Sequence, residues 1–222
     1  MDILDWIAIS RQNIEHLQER AQRIWEKSNV GETFKECTFE AFETAGTNLL
    51  TAKQKCQGYA ENFTKDTGAG LLLYGDYGVG KTHLVTAVAN YLVYTYGVSA
   101  YFVTAPELIS KIQKSIRSYI QDGEDIKRTA KEVDVLILDD LGREKSNEWN
   151  QQILFELVDH RYRAKKPMLI TSNLTPHQLS FQVGEATISR LINMSECIEI
   201  TGTDYRALHR QPYEEVTHPV PF

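Results

Sequence analysis

The chain has 222 residues, of which 42% are hydrophobic and 24% are charged. These proportions are typical of a globular protein. From the length we expect one sizeable domain with a small appendage rather than two full catalytic domains. The formal net charge of −6 opposes general attraction to nucleic acid phosphates, so we expect any nucleic-acid contact to be local. The apolar runs fall far short of the roughly 20 residues that span a bilayer, and the first residues do not form a signal peptide. We expect a cytoplasmic protein with no membrane contact.

The first predicted element is an amphipathic helix over residues 7–24. Most of its charged residues lie away from a single apolar stripe. The stripe consists of Ile7, Ile14, Leu17, Ala21 and Ile24 at near-heptad spacing. The turn-forming sequence Asn29-Val30-Gly31 follows the helix. We therefore predict a short N-terminal helical segment, residues 1–31, ahead of the main domain.

From residue 71 onward, short β-rich segments alternate with helical ones. The predicted strands span 71–74, 99–103, 133–139, 168–172 and 197–200, and the predicted helices span 81–96, 106–121, 148–164 and 185–194. This alternation is typical of a parallel sheet with helices on both faces. The continuous apolar runs are those that strands buried on both faces require. The predicted fold class is α/β, with a five-stranded parallel sheet and flanking helices.

The loop between the first predicted strand and its helix carries a phosphate-binding motif. The sequence Gly75-Asp76-Tyr77-Gly78-Val79-Gly80-Lys81-Thr82 fits the pattern GxxxxGK(S/T) in the required strand–loop–helix context. Its glycines let backbone N–H groups approach phosphate oxygens, and the helix N-terminus adds positive partial charge. Lys81 would reach the β- and γ-phosphates of ATP, and Thr82 would bind Mg²⁺. We predict nucleotide contacts from these residues and His83; the alternative is a glycine-rich turn with an idle lysine.

Polar residues follow two of the other predicted strands. An apolar run ends in Asp139 and Asp140 at the carboxyl edge of the sheet, where ligands of such sheets bind. Asp139 suits the metal side of the site, and Asp140 suits the task of orienting or deprotonating the attacking water. Asn173 follows the next strand and suits a contact with the γ-phosphate or the water. Asp and Asn are also common in turns, which is the plainer interpretation.

Several motifs together give the chain a specific resemblance. Their order and spacing carry it: Thr38-Phe39, GDYGVGKTHL at 75–84, LILDDLG at 136–142, His160-Arg161-Tyr162, ITSNL at 170–174, ISRL at 188–191 and Gly202-Thr203-Asp204-Tyr205-Arg206. From about residue 34 to residue 206 the sequence resembles the DnaC-type helicase loaders and the closely similar IstB transposition helpers, which are AAA+ ATPases. The resemblance implies an AAA+ P-loop ATPase domain over 32–206 and a C-terminal tail, 207–222. It also implies that the strand before Asn173 lies between the P-loop strand and the Asp139 strand.

The same resemblance implies roles for individual side chains. Asn173 matches sensor 1, Arg190 matches the arginine finger that acts on ATP in a neighbouring subunit, and Arg206 matches sensor 2. Surface or salt-bridged positions are the plainer alternatives for the two arginines. A finger that acts between subunits implies a homo-oligomer in the ATP state. Asp140 stands where most AAA+ proteins have Glu, and its shorter reach suggests slow ATP hydrolysis.

The helix after Val103 is a candidate contact for single-stranded DNA. It carries Lys111, Lys114 and Arg117, and Phe102 lies just before it. Its position resembles the loader segment that faces DNA, and aromatic stacking beside cations is the physics of such binding. The alternative is an ordinary solvated helix face.

The resemblance also implies partners. In loaders, the region before the ATPase domain binds the replicative helicase, and the narrow apolar stripe of residues 7–24 suits a helix-in-groove contact; packing on the ATPase domain is the alternative. The implied function is an ATP-dependent loader that delivers a ring helicase to single-stranded DNA. Two rivals stay open. One is an IstB-like transposition helper, which shares every ATPase motif, and the other is a P-loop small-molecule kinase, which should show an Arg-rich lid.

Overall fold

The computed structural model describes residues 36–44, 47–118 and 122–205. The predicted N-terminal helix, Arg206 and the C-terminal tail lie outside these residues. Across the described part of the chain, no helix has the length and apolar character needed to cross a membrane.

A five-stranded parallel sheet forms the centre of the fold. Its strands are β1 (Gly70–Gly75), β2 (Ala100–Thr104), β3 (Val135–Asp139), β4 (Met168–Ser172) and β5 (Ser195–Ile200). They lie in the order β2-β3-β4-β1-β5, and every neighbouring pair is parallel. The strand before Asn173 is β4, and it lies between β1 and β3, which confirms the order implied by the resemblance. The predicted fold class is also confirmed.

Helices cover both faces of the sheet. In chain order they are α1 (Thr47–Glu61), α2 (Lys81–Tyr96), α3 (Ala105–Ser118), α4 (Asp122–Glu132), α5 (Glu148–Arg163), α6 (Pro176–Val183) and α7 (Glu185–Met194). Leu71 and Leu73 of β1 pack with α1 and α2, whereas Leu72 between them packs with the helices of the opposite face. Burial on both faces explains the continuous apolar runs in the strands.

Most predicted elements lie close to their observed bounds. The bounds of α2, β4 and α7 are as predicted, and those of the other predicted elements shift by one to three residues. The sequence does not predict α1, α4 and α6, because their apolar signal is weak. The buried stripe of α1 contains only small side chains, Ala52, Cys56 and Ala60. Helix α6 is just eight residues long, too short for a clear 3.6-residue period.

A buried arginine fixes the starts of two central strands. Arg161 of α5 is fully buried, and burial lowers its pKa to about 9. Its guanidinium donates, at 2.8–3.2 Å, to the carbonyls of Ala130, Lys131, Val133, Asp134 and Pro167. These bonds join the end of α4 to the segments that enter β3 and β4. The opposite, carboxyl ends of the same strands carry the candidate site.

Candidate active site

The loop between β1 and α2 turns sharply enough for its backbone to face a phosphate. Gly78 and Gly80 have φ angles of 70° and 89°, which L side chains rarely adopt. A Cβ atom at Gly80 would lie 2.5 Å from the Phe42 ring, and one at Gly78 would lie 1.7 Å from the Asp204 carboxylate. The loop runs directly into α2, whose first residue is Lys81. The positive end of the helix dipole therefore points toward the loop.

Lys81 crosses the loop and reaches the end of β4. Its side chain is buried, and its Nζ donates to Gly75 O at 3.1 Å and to Asp76 O at 2.5 Å. The same Nζ donates to Asn173 Oδ1 at 2.7 Å. Because β4 lies next to β1, two residues 92 positions apart in sequence share one hydrogen bond. The fold thus brings the predicted phosphate-binding lysine and the predicted sensor asparagine together.

Asp139 joins the end of β3 to the start of α2. Its Oδ1 accepts hydrogen bonds from Thr82 Oγ1 at 2.8 Å and from Thr171 Oγ1 at 2.6 Å. The carboxyl group is buried, and this burial raises the pKa of Asp139 above its ordinary value, with the two hydroxyl donors acting in the opposite direction. Thr82 and Asp139, the two predicted metal ligands, therefore lie in direct contact.

Asp139→Asn is expected to stabilise the folded chain near neutral pH. Since burial raises the pKa of Asp139, this group's contribution to stability is complete below the ordinary Asp pKa. It is lost as the pH rises through the higher, folded-state pKa. The asparagine variant does not suffer this loss. Urea unfolding at several pH values gives the free energy of unfolding of both chains. The two free energies should be similar at acidic pH, and toward neutral pH the variant should become the more stable chain. Greater stability of the unaltered chain near neutral pH would contradict the expectation.

Asp140 occupies the turn that follows β3. Its φ angle is 56°, a left-handed value that Asp tolerates better than most residues do. Its backbone N–H donates to Thr171 Oγ1 at 3.0 Å. Its side-chain oxygens accept from different partners: Asn173 Nδ2 donates to Oδ1 at 3.4 Å, and Arg143 donates to Oδ2 at 2.9 Å. The two predicted water-handling residues, Asp140 and Asn173, therefore lie side by side.

The loop after Asp140 is also held from inside the protein. The buried Glu144 carboxylate accepts the Gly142 N–H at 3.0 Å, and burial raises the pKa of Glu144. Gln182 of α6 donates to Gly142 O at 3.1 Å. The sequence carries no signal that distinguishes Glu144 or Arg143 from other charged loop residues. Thr171 begins the polar end of β4, Thr171-Ser172, but this local pattern does not show that its hydroxyl contacts Asp139.

Two flanking segments brace the P-loop from outside. Before α1, Thr38 O lies 2.8 Å from His83 Nε2. After β5, the Tyr205 N–H donates to Gly78 O at 3.0 Å. Tyr77, within the loop, is 70% exposed. Because the His83 ring is engaged with the protein, its contact with nucleotide stays a prediction.

Arg190 contacts α5 and its own helix. Its Nε donates to Asp159 Oδ1 at 2.9 Å, and Nη1 donates to Ala186 O at 2.9 Å. The guanidinium carbon lies 4.8 Å from the centre of the Phe155 ring, within the range of a cation–π contact. The other oxygen of Asp159 pairs with Arg163 at 2.9 Å. The described chain thus holds Arg190 in a salt bridge, and the predicted sensor 2, Arg206, lies outside the described residues.

The predicted DNA-contacting group needs a correction. Phe102 is only 6% exposed and belongs to the core beside α2, so the expectation that its ring stacks on DNA bases is wrong. Strand β2 is buried on both faces, which leaves no exposed side for an aromatic residue. Lys111 pairs with Glu107 at 2.6 Å, and this hydrogen bond raises the lysine pKa. Lys114 also lies on α3, and the side chain of Arg117 is outside the described set.

The arrangement defines a class of protein. A parallel sheet in the order β2-β3-β4-β1-β5, a P-loop between β1 and α2, and acidic residues at the carboxyl end of β3 are the features of an AAA+ P-loop domain. Residues 9–212 match the family described as IstB-like ATP binding protein. The chain therefore belongs to this family of ATP-binding proteins. The matched family and the sheet order favour an AAA+ ATP-binding protein over the small-molecule kinase alternative.

Comparison with individual proteins gives the same placement. The chain is 29% identical over 173 residues to the replicative helicase loader DnaC of Buchnera aphidicola subsp. Baizongia pistaciae (strain Bp), covering 78% of this chain and 70% of that protein. It is 24% identical over 177 residues to DnaC of Escherichia coli (strain K12), covering 80% and 71%. A crystal structure of the DnaC helicase loader matches with a TM-score of 0.71 and 24% identity, covering 77% of this chain and all of that one.

Proposed function

We propose that the chain is an ATP-controlled loader that delivers a ring-shaped replicative helicase to single-stranded DNA. The observation that carries the ATP-dependent part is the contact between Lys81 and Asn173, which joins the P-loop to the end of β4. The relatives named as replicative helicase loaders support the cellular role. Residues 1–31 are the proposed helicase-binding segment, 32–206 the ATPase domain, and 207–222 a tail.

Thr82 and Asp139 are the proposed protein ligands of a magnesium ion that accompanies ATP. A hydroxyl and a carboxylate oxygen 2.8 Å apart are the hard oxygen donors that Mg²⁺ prefers. Held by these two residues, the ion would neutralise charge on the β- and γ-phosphates. Lys81 exchanges its carbonyl and amide partners for phosphate oxygens, and this exchange releases Asn173.

Asp140 and Asn173 are the proposed water-handling residues. Their side chains are adjacent, and the carboxylate provides a general base while the amide orients the water. Hydrolysis is slow because Asp is one methylene shorter than Glu. Arg190 from a neighbouring subunit and Arg206 from the same chain complete the proposed site. Hydrolysis then switches the state of an oligomer assembled with ATP.

A loading assay tests this function directly. The substrate is a circular single-stranded DNA with one annealed oligonucleotide, because a ring helicase cannot thread onto a circle without assistance. The helicase is the hexameric replicative helicase of the same organism. We expect unwinding to require this chain and ATP, to fail with a chain that lacks residues 1–31, and to persist with an Arg128→Ala control on helix α4. Unwinding that is independent of the chain would overturn the proposal.

The transposition-helper alternative keeps one supporting observation, the IstB-like description of the matched family. The same purified chain distinguishes the two functions. A loader should bind single-stranded DNA in preference to duplex and should bind the helicase. ATP-dependent coating of duplex DNA, without helicase binding, would favour the transposition helper.

The proposed DNA contact on α3 now consists of Lys111, Lys114 and Arg117 without Phe102. Each phosphate neutralised on a single strand contributes a slope of about −0.7 in a log–log plot of affinity against salt. Replacing all three cations by Ala should therefore flatten the slope by about 2 units. Fluorescence anisotropy with a labelled oligonucleotide at several salt concentrations measures it.

A matched triple variant controls for the general loss of positive charge. Lys55, Lys65 and Arg128 are exposed and salt-bridged, as Lys111 is, but they lie on other elements. Replacing these three residues by Ala should leave the slope of affinity against salt unchanged. Equal slopes for both triple variants would mean that the charged face of α3 is an ordinary solvated surface and does not contact DNA.

A further inference from the structure

A chain of hydrogen bonds runs from the P-loop lysine to the protein surface. Lys81 Nζ donates to Asn173 Oδ1 at 2.7 Å, Asn173 Nδ2 donates to Asp140 Oδ1 at 3.4 Å, and Arg143 Nη1 donates to Asp140 Oδ2 at 2.9 Å. The inner end, Lys81, is buried, whereas the Arg143 side chain is 72% exposed. The outer arginine is thus the one member of this relay that lies largely in solvent.

The two oxygens of Asp140 have distinct surroundings. Oδ1 faces Asn173 and, through it, Lys81, which is the phosphate side of the site. Oδ2 faces Arg143. The terminal torsion of an Asp side chain is broad, so a carboxylate with only the long contact to Asn173 rotates easily. The guanidinium holds Oδ2 and thereby fixes the plane of the carboxylate, so that its other oxygen faces the phosphate side.

The backbone of Arg143 is itself fixed relative to Asp140. The Arg143 N–H donates to Asp140 O at 3.2 Å, which closes the turn after β3. Within that turn, Gly142 is held through its N–H by Glu144 and through its carbonyl by Gln182. The backbone of Arg143 is therefore held in place, and only its side chain has to be ordered to reach the carboxylate.

We propose that Arg143 is a positioning residue for ATP hydrolysis. It orients the Asp140 carboxylate so that Oδ1 meets the attacking water, and it does not touch the nucleotide. This inference rests on the proposed ATPase function. An exposed ion pair contributes little to folding stability, so the pair should affect the chemical step more than the fold.

The experiment compares Arg143→Ala with a control at the same spacing. Arg128 pairs with Asp125 three residues earlier at 2.6 Å and is 74% exposed, so Arg128→Ala removes an equivalent surface pair far from the sheet edge. Single-turnover hydrolysis, with the chain in excess over ATP and well above its Kd for ATP, measures the chemical step, and a nucleotide titration measures affinity. We expect Arg143→Ala to slow the single-turnover rate about fivefold, which corresponds to about 1 kcal/mol of activation free energy. ATP affinity and thermal stability should stay unchanged.

Two further variants separate positioning from a structural effect. Arg143→Lys keeps a cation at this position and should recover at least part of the lost rate. In an Asp140→Asn background, Arg143→Ala should cause no additional loss, because the carboxylate that it orients is gone. An unchanged rate in Arg143→Ala, an equal loss in the Arg128→Ala control, or a loss traced by light scattering to failed self-association would overturn the proposal. Absence of hydrolysis in the unaltered chain would overturn the ATPase function as well, so the two failures are distinguishable.

Discussion

Lys81→Ala is expected to weaken ATP binding about 100-fold. A hydrogen bond from a charged donor contributes about 1.5–3 kcal/mol, and each 1.4 kcal/mol is a factor of ten in affinity. The upper part of this range applies because Lys81 is buried and reaches the end of β4 as well as the loop. Titration calorimetry with ATP and Mg²⁺ measures the effect.

The control for this variant must show that the loop survives. Removal of the ammonium group leaves Gly75 O and Asp76 O without that donor, so thermal unfolding of the variant is measured beside the titration. A second variant, Lys81→Gln, retains a donor of similar length without the charge. Lys55→Ala, which removes an exposed lysine of α1 that pairs with Glu196, should keep ATP affinity. Unchanged affinity in a folded Lys81→Ala chain would refute the assignment of the P-loop.

The parts of the site that the sequence predicts are those encoded in a short continuous stretch. The P-loop needs its glycines, Lys81 and Thr82 within eight positions, and the strand before it and the helix after it are readable from local patterns. Asp139 and Asp140 are predictable for the same reason, since they end an apolar strand at the carboxyl edge of the sheet. The periodicity of the chain does not show that Asn173 lies beside Lys81, because that contact depends on the order of the strands.

The remaining features depend on contacts between distant residues or on burial. The hydroxyl of Thr171 bonds to Asp139 across two neighbouring strands, and no local pattern assigns it that role. Phe102 is a case in which the sequence pattern gave a wrong prediction. An aromatic residue just before a basic helix suggests stacking on DNA bases, but β2 is covered on both faces and the Phe102 ring is buried. Arg190 matches a motif, yet its partner Asp159 lies 31 residues away.

Arg190→Ala is expected to keep ATP affinity in the isolated subunit and to lose the rate increase that accompanies self-association. An arginine supplied by a neighbour stabilises charge on the transferring phosphoryl group, an effect of about 10³–10⁵ in other P-loop NTPases. Here we expect a smaller effect, about tenfold or more, because the proposed general base, Asp140, has a shorter reach than Glu. Hydrolysis measured over a range of protein concentrations, with light scattering to follow assembly, tests this expectation.

The salt bridge to Asp159 bears on the proposed role of Arg190 as an arginine finger. In the described chain, Arg190 is bonded to Asp159 and stacked on Phe155, so the proposed finger has a partner within its own chain. Arg163 pairs with the other oxygen of Asp159 and is 75% exposed. Arg163→Ala is therefore the matched control, since it breaks a bridge to the same carboxylate without removing the finger. It should keep the rate increase that Arg190→Ala loses.

A mixture of two inactive chains decides whether the finger acts between subunits. The Arg190→Ala chain has an intact P-loop but no finger, and the Lys81→Ala chain has an intact finger but binds ATP poorly. When the two assemble, Arg190 of the second chain can serve the P-loop of the first, so part of the hydrolysis should return. No recovery in a mixture that light scattering shows to be co-assembled would mean that Arg190 works within its own chain or has no role in hydrolysis. The coupling between ATP and assembly would then need another residue, and the loader proposal would lose the mechanism on which its switch depends.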